Sequence, residues 1–171
     1  MERRNITDSP MEIYVHIPFC IKKCNYCDFL SFPSNEERRE IYVQSLINEI
    51  EQTGKLLDKD AYAVRSIFIG GGTPSLLSGK QIERIMLAVR NAFFIMEEAE
   101  ITMETNPGTL TKENVFSYKK AGVNRFSMGL QSADDACLHL LGRIHTWEEF
   151  LKSYEPVSYT HLRAHETLSD L

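Results

Sequence analysis

The stretch Ile13-Tyr-Val-His-Ile-Pro-Phe-Cys20-Ile-Lys-Lys-Cys24-Asn-Tyr-Cys27 decides the interpretation of this chain, because a β-rich run leads directly into three closely spaced cysteines. The run stops at Pro18, as a strand feeding a loop does, so we expect the cysteines on that loop. In a reducing compartment such a cluster is typical of a metal site rather than of a disulfide framework. Iron–sulfur clusters normally take four cysteines, so three would leave one iron open to a non-protein ligand. The alternative is structural zinc with His16 as its fourth ligand.

From this motif onward, the sequence predicts a strand, a loop and a helix that alternate four times along the chain. Strands are predicted at 13–17, 64–69, 100–104 and 125–130, and helices at 36–51, 82–93, 111–121, 134–141 and beyond 146. This alternation predicts an α/β fold with parallel strands and helical crossovers. In such folds the site lies at the carboxyl ends of the strands, so we expect the polar residues that follow the strands to meet there.

Composition sets broad limits on the class of protein. The 171 residues are 43% hydrophobic and carry a formal charge of −5, which gives no general attraction to nucleic acid. No apolar run reaches the length of a membrane span, and the N-terminus lacks the apolar core of a signal peptide. We therefore expect a cytoplasmic protein without nucleic-acid partners or an integral membrane segment. Cys137, which lies among leucines, is predicted to be a buried core thiol.

The spacing C-x3-C-x2-C is also the signature of the radical S-adenosylmethionine (SAM) enzymes, which this chain resembles. Gly70-Gly-Gly-Thr-Pro74, Glu104-Thr-Asn-Pro-Gly-Thr-Leu110, Arg125-Phe-Ser-Met-Gly-Leu-Gln-Ser132 and Leu141-Gly-Arg-Ile-His145 follow in the order of one branch of that family. The branch contains oxygen-independent coproporphyrinogen III oxidases and HemW-type heme chaperones. The resemblance covers residues 11–150 and implies part of a radical SAM (β/α) barrel, about four β/α units long. Five motifs in order favour an iron–sulfur cluster over zinc.

The resemblance also implies how the cofactors are held. Cys20, Cys24 and Cys27 would bind three irons of a [4Fe–4S] cluster, and SAM would chelate the fourth. Gly71, Gly72 and Thr73 resemble the loop that lets the backbone approach the methionine amino group. The alternative for the glycines is a plain turn before a helix.

Four further residues match family positions around SAM, each with a simpler alternative. Glu104 resembles a glutamate that contacts SAM, or is a solvated carboxylate at a strand end. Arg143 could pair with the methionine carboxylate, or cap the preceding helix. Gln131 matches another cofactor position, and Tyr14 either contacts the cofactor or fills the barrel. Tyr26, between the second and third cysteines, is a further candidate contact.

Two functions from different classes follow from the resemblance. A HemW-like chaperone would bind heme and deliver it to acceptor proteins, with an electron donor for its cluster. An oxygen-independent oxidase would instead convert coproporphyrinogen III to protoporphyrinogen IX by oxidative decarboxylation. The oxidases carry a further cysteine two residues after the third, whereas Asp28-Phe29 follow Cys27 here, which favours the chaperone. No catalytic side chain is predicted.

The two ends of the chain depart from the strand–helix pattern. Residues 156–171 contain no β-rich run and resemble translated sequencing adapter, so we expect a non-native tail in which His161 and His165 bind no metal. Met11 precedes the first strand and makes residues 1–10 a candidate start-site extension. The barrel part is therefore expected at 11–155.

Overall fold

The computed structural model describes residues 10–57 and 62–158. In chain order the elements are β1 (Pro10–Ile17), β2 (Phe19–Cys20), β3 (Phe32–Pro33), α1 (Glu36–Leu56), β4 (Ala63–Gly71), a 3₁₀ helix (Pro74–Leu76), α2 (Gly79–Ala92), β5 (Ile95–Thr105), α3 (Lys112–Ala121), β6 (Arg125–Met128), α4 (Asp135–Leu140) and α5 (Trp147–Ser158).

The main sheet has the strand order β1-β4-β5-β6, and every neighbouring pair is parallel. A helix separates each strand from the next in this sheet, so the predicted α/β alternation is confirmed. Ile17 pairs with Gly71 and Thr105 pairs with Met128, so the strands end at one edge of the sheet. The polar residues that follow these strands are thereby brought to the same side of the molecule.

Strand ends differ from the prediction at two places. Gly70 and Gly71 do not break the second predicted strand but complete β4, in register with the end of β1. The strand predicted to reach Leu130 stops at Met128, because the N–H of Leu130 turns back to the Met128 carbonyl at 3.0 Å. The chain therefore leaves the sheet earlier here and enters a loop at the site.

The core lies between the sheet and the helices that cross over it. Its largest fully buried side chains are Tyr118, Phe19, Ile17, Ile67, Ile69, Leu77, Ile82, Ile85, Met86, Met103, Leu138 and Val43. The apolar pattern of the sequence predicts Ile41 on the buried side of α1 together with Val43 and Ile50, yet Ile41 is 61% exposed. The packed face of α1 is centred on Val43 and Ile50.

The hydrogen bonds at the helix ends match the sequence at three places, whereas α1 runs to Leu56, five residues past its predicted end at 51. Ser78 and Gln81 form a reciprocal capping box at the start of α2, and Thr146 and Glu149 do the same before α5. Gly122 ends α3 in the left-handed conformation, with φ of 108°, which glycine adopts without a Cβ penalty.

Cys137 contradicts the prediction of a buried thiol, because it is exposed on α4. On that short helix it is Leu138 that points into the protein.

The boundary expected at residue 155 falls inside a helix. Helix α5 continues to Ser158, and Pro156 and Val157 are buried within it. The rest of the expected tail, with His161 and His165, and residues 1–9 of the expected extension lie outside the described residues. Within the described ranges, no helix is both long and apolar enough to cross a membrane.

Candidate metal centre and cofactor cavity

A cavity of about 750 Å³ opens at the carboxyl ends of the strands. Nine of the ten predicted site residues line it: Cys20, Cys24, Cys27, Gly71, Gly72, Thr73, Glu104, Gln131 and Arg143. These residues come from five separate segments of the chain. The parallel sheet therefore brings the predicted ligands to one space, as expected for a site at the strand ends.

Residues 20–29, which we call the cluster loop, carry the three cysteines between β2 and β3. The two short strands pair in parallel, Phe19 with Phe32, and the N–H of Phe32 donates to the Pro18 carbonyl at 2.9 Å. Within the loop, the N–H of Cys27 donates to the Cys24 carbonyl at 3.2 Å. The three thiols are free and partly buried, so they are available as ligands.

The zinc alternative requires His16, and the ring of His16 is engaged elsewhere. Its Nε2 donates to the Leu30 carbonyl at 3.1 Å, and its Nδ1 lies 3.3 Å from the Tyr14 hydroxyl. Within residues 10–57 and 62–158, no three His, Cys, Asp or Glu side chains are gathered closely enough to hold one metal ion. Both ring nitrogens of His16 therefore have partners other than the cysteines, which disfavours His16 as a fourth ligand.

Gly72 and Thr73, which follow β4, pack against the first cysteine and form more than a plain turn. The N–H of Gly72 donates to the Ile17 carbonyl at 2.8 Å, and the N–H of Thr73 donates to the Phe19 carbonyl at 2.7 Å. A Cβ at Gly72 would lie only 2.6 Å from the Phe19 oxygen and 3.0 Å from the Cys20 sulfur. Only glycine allows this close approach of backbone to the first cysteine.

Glu104, at the end of β5, faces the same glycine segment. Its Oε2 accepts a hydrogen bond from the N–H of Gly71 at 2.9 Å. Burial raises the pKa of Glu104, and it outweighs the lowering by that hydrogen bond and by His16. Glu104 is therefore a partly buried, hydrogen-bonded carboxyl group rather than a solvated strand-end residue.

Arg143 lines the cavity, and its guanidinium bonds to groups outside α4, whereas its backbone N–H donates to the Leu138 carbonyl of that helix at 2.9 Å. Its Nη2 donates to the Gly129 carbonyl at 2.7 Å and to Oδ1 of Asn106 at 2.9 Å, while Nη1 donates to the Cys24 sulfur at 3.4 Å. Its buried Nε has no hydrogen-bond partner among the described residues. A buried donor without a partner in a cavity wall is a place where a ligand can bind.

Two residues that organise this wall, Asn106 and His145, were not among those predicted from the sequence. Asn106 donates from Nδ2 to Oγ1 of Thr73 at 2.9 Å while accepting from Arg143, so it joins two predicted cofactor residues. His145 is buried and donates from Nε2 to the Leu130 carbonyl at 3.2 Å. Burial is the main cause that lowers the pKa of His145, followed by the charge of Arg143. Asn106 lies in the motif Glu104–Leu110, and His145 ends the motif Leu141–His145. The position of Asn106 directly after β5 is the sequence feature that could have indicated a role at the site.

The remaining predicted residues lie at the margins of the cavity. Gln131 is exposed at the rim, with a left-handed φ of 71° that is uncommon outside glycine. Tyr26 lines the cavity, and burial is the main cause that raises its pKa. Tyr14 is not among the lining residues: its ring stacks on Phe68 with 6.0 Å between centroids. Its role at a cofactor stays a prediction.

These features fit a thiolate-bound cluster with an additional anionic ligand. Three free thiols line one cavity, glycine leaves room beside Cys20, and Arg143 offers an unpartnered N–H. Soft thiolates are the ligands that iron–sulfur clusters take, and a guanidinium suits a carboxylate.

This chain belongs to the Radical SAM superfamily, whose model matches residues 14–157. Among individual proteins it is similar to the heme chaperone HemW of Escherichia coli, with 44% identity over 161 residues, 91% of this chain and 41% of that protein. It is also 36% identical over 141 residues to the mitochondrial radical S-adenosyl methionine domain-containing protein 1 of Mus musculus, covering 82% of this chain and 31% of that protein.

The fold agrees with a solved structure of the same superfamily. Coproporphyrinogen III oxidase (HemN) from Escherichia coli superimposes with a TM-score of 0.78 at 29% identity, over 91% of this chain and 36% of that chain. The prediction of part of a radical SAM barrel is thereby confirmed. The chain spans about two fifths of the length of the HemW relatives it matches. Membership of the superfamily implies a [4Fe–4S] cluster and SAM, and the three motif cysteines are present.

Proposed function

We propose that this chain is part of a HemW-like radical SAM protein of heme metabolism. Cys20, Cys24 and Cys27 hold a [4Fe–4S] cluster in this proposal. SAM is bound by Gly71, Gly72, Thr73, Glu104, Gln131 and Arg143, with Tyr14 nearby. The parent protein binds heme and passes it to acceptor proteins, and a redox partner supplies electrons to the cluster.

One observation carries the cofactor part of this proposal: three thiols line the same cavity as Arg143, whose buried Nε has no partner among the described residues. A cluster with SAM, when bound, supplies one-electron chemistry that protein side chains alone do not provide. The chain's own residues would bind and orient these two groups. Arg143, held by Asn106 and the Gly129 carbonyl, presents positive charge, and Glu104 presents a carboxyl group near the Gly71 backbone.

The heme part of the proposal is supported by similarity and by one local difference. The relatives at 44% and 40% identity are named heme chaperones. Asp28 directly follows Cys27 and is exposed, and Phe29 stands two residues after Cys27, where the oxidases of this branch carry a further cysteine. The second candidate, coproporphyrinogen III oxidase activity, is favoured by the superposition on HemN.

The cofactor proposal is tested on the chain itself by anaerobic reconstitution with iron and sulfide. We expect iron and sulfide bound to the chain, and a change in the electron paramagnetic resonance spectrum of the reduced cluster when SAM is added. Purification with zinc and no iron under anaerobic conditions would overturn the assignment.

The heme proposal is tested on the natural protein that carries this chain. We expect a stable Soret band on titration with heme and no conversion of coproporphyrinogen III. Turnover to protoporphyrinogen IX would instead establish the oxidase function, and absence of both would exclude both functions.

A further inference from the structure

Asn25 ties the cluster loop to the turn between α4 and α5. Its backbone N–H donates to the Leu141 carbonyl at 3.0 Å, and its side-chain Nδ2 donates to the Leu140 carbonyl at 3.0 Å. Both acceptors lie at the C-terminal end of α4, where carbonyls lack partners within the helix. One loop residue therefore satisfies two carbonyls of a helix end that lies 115 positions further along the chain.

The turn is shaped around the Asn25 side chain. Gly142 has a φ of +75°, and a Cβ built on it would lie 2.8 Å from Oδ1 of Asn25 and 2.9 Å from its Cγ. A side chain at position 142 would therefore displace the amide group. Asn25 and Gly142 fit together as a pair, which makes the contact specific rather than incidental.

The same two segments meet a second time at the site itself. Cys24 precedes Asn25, Arg143 follows Gly142, and the guanidinium Nη1 lies 3.4 Å from the Cys24 sulfur. The residues next to Cys24 and Arg143 in the chain, Asn25 and Gly142, are therefore in contact with each other as well.

We propose that Asn25 is a positioning residue for the candidate metal centre. By bonding to Leu140 and Leu141 it holds the middle of the cluster loop in place, so that the thiol of Cys24 faces Arg143 before any cluster binds. The role of Asn25 in holding the cluster loop does not depend on a bound cluster, whereas its consequence for cluster binding rests on the proposed function.

The variant Asn25→Asp tests the loop, because a carboxylate keeps the size of the amide but has no N–H to donate. Hydrogen–deuterium exchange of the cofactor-free chain is read by mass spectrometry on peptides covering residues 20–29. We expect exchange there to accelerate about fivefold, the change that loss of one typical hydrogen bond gives. Gly142→Ala, which displaces the amide from the other side, should act in the same direction.

The control is Asn48→Asp, which makes the same chemical change on the exposed face of α1. It should leave exchange in residues 20–29 unchanged, and exchange in β4 should stay constant in all variants if they fold. Unchanged exchange of the cluster loop in folded Asn25→Asp would overturn the proposal.

The consequence for the cluster is measured after anaerobic reconstitution, as the rate at which a chelator removes iron. We expect iron loss about tenfold faster in Asn25→Asp than in the original chain, as for other outer-sphere partners of metal ligands. Faster loop exchange with unchanged iron loss would show a purely structural link and overturn the positioning role. A chain that binds no iron would refute the proposed function, while the exchange experiment would still decide the loop contact.

Discussion

Nη1 of Arg143 lies 3.4 Å from Sγ of Cys24, so one contact joins residues that are 119 positions apart in the chain. The same guanidinium donates to Asn106 and to the Gly129 carbonyl. Arg143 therefore connects the cluster loop to the ends of β5 and β6. Charge-assisted hydrogen bonds of this kind are stronger than neutral ones, so Arg143 strengthens the contact between these segments.

Replacement of Cys24 by alanine should abolish cluster binding. Two remaining thiolates are too few to hold the cluster that three are proposed to bind. The measurement is iron per chain and the brown visible absorbance after anaerobic reconstitution. Cys137→Ala is the matched control, because it removes an exposed thiol outside the cavity and should leave both values unchanged. Full absorbance in Cys24→Ala would contradict the assignment of this ligand.

The Asn106→Ala variant should lower the free energy of unfolding by about 1–3 kcal/mol, because it removes partners from polar groups in a partly buried site. Thr73 loses a donor at 2.9 Å, and Arg143 loses an acceptor at 2.9 Å. The shift of the urea midpoint at constant slope measures this loss. Asn48→Ala, on the exposed face of α1, should shift the midpoint far less. Equal midpoints for the two variants would show that the Asn106 contacts contribute nothing.

Glu104 should make stability depend on pH. Folding raises its pKa above the ordinary 4.5, so the folded chain keeps this proton where the unfolded chain has released it. The contribution of Glu104 is therefore fully present below pH 4.5 and is lost as pH rises through the raised pKa. Glu104→Gln should remove this loss, so its stability relative to the original chain should increase with pH over that window.

Unfolding free energies of both chains, measured in urea from acid to neutral pH, check the Glu104 prediction. Glu37→Gln removes an exposed carboxylate from the first turn of α1 and controls for the simple loss of a charge. If the difference between Glu104→Gln and the original chain stayed constant with pH, burial of this carboxyl group would have no energetic effect.

Tyr118→Phe should destabilise the chain by roughly 1–2 kcal/mol, the cost of leaving a buried carbonyl without its donor. The Tyr118 hydroxyl is fully buried and donates to the Leu77 carbonyl at 2.6 Å. This bond ties α3 to the segment that follows the 3₁₀ helix. The thermal midpoint of the variant is compared with that of Tyr62→Phe, which loses an exposed hydroxyl and should melt like the original chain. Identical melting of both variants would refute the prediction.

The class of fold and the three closely spaced thiols are evident from the amino-acid sequence alone. Strand and helix periodicity and the two capping boxes depend on residues within a few positions of each other, so they can be recognised without coordinates. The glycine segment after the second predicted strand and Glu104 at the end of the third were also predicted, from their place at the strand ends and from the resemblance to radical SAM enzymes.

Which side chains contact each other, and which are exposed, is known only from the tertiary structure. Asn106 meets Arg143, Asn25 meets Leu140, and Cys137 turns outward although leucines surround it in the chain. Contacts between residues 37 to 119 positions apart depend on sheet register and on how the loops pack, which local sequence does not specify. The residues of this site were therefore predictable one by one, whereas the network that holds them follows from the packing of four parallel strands.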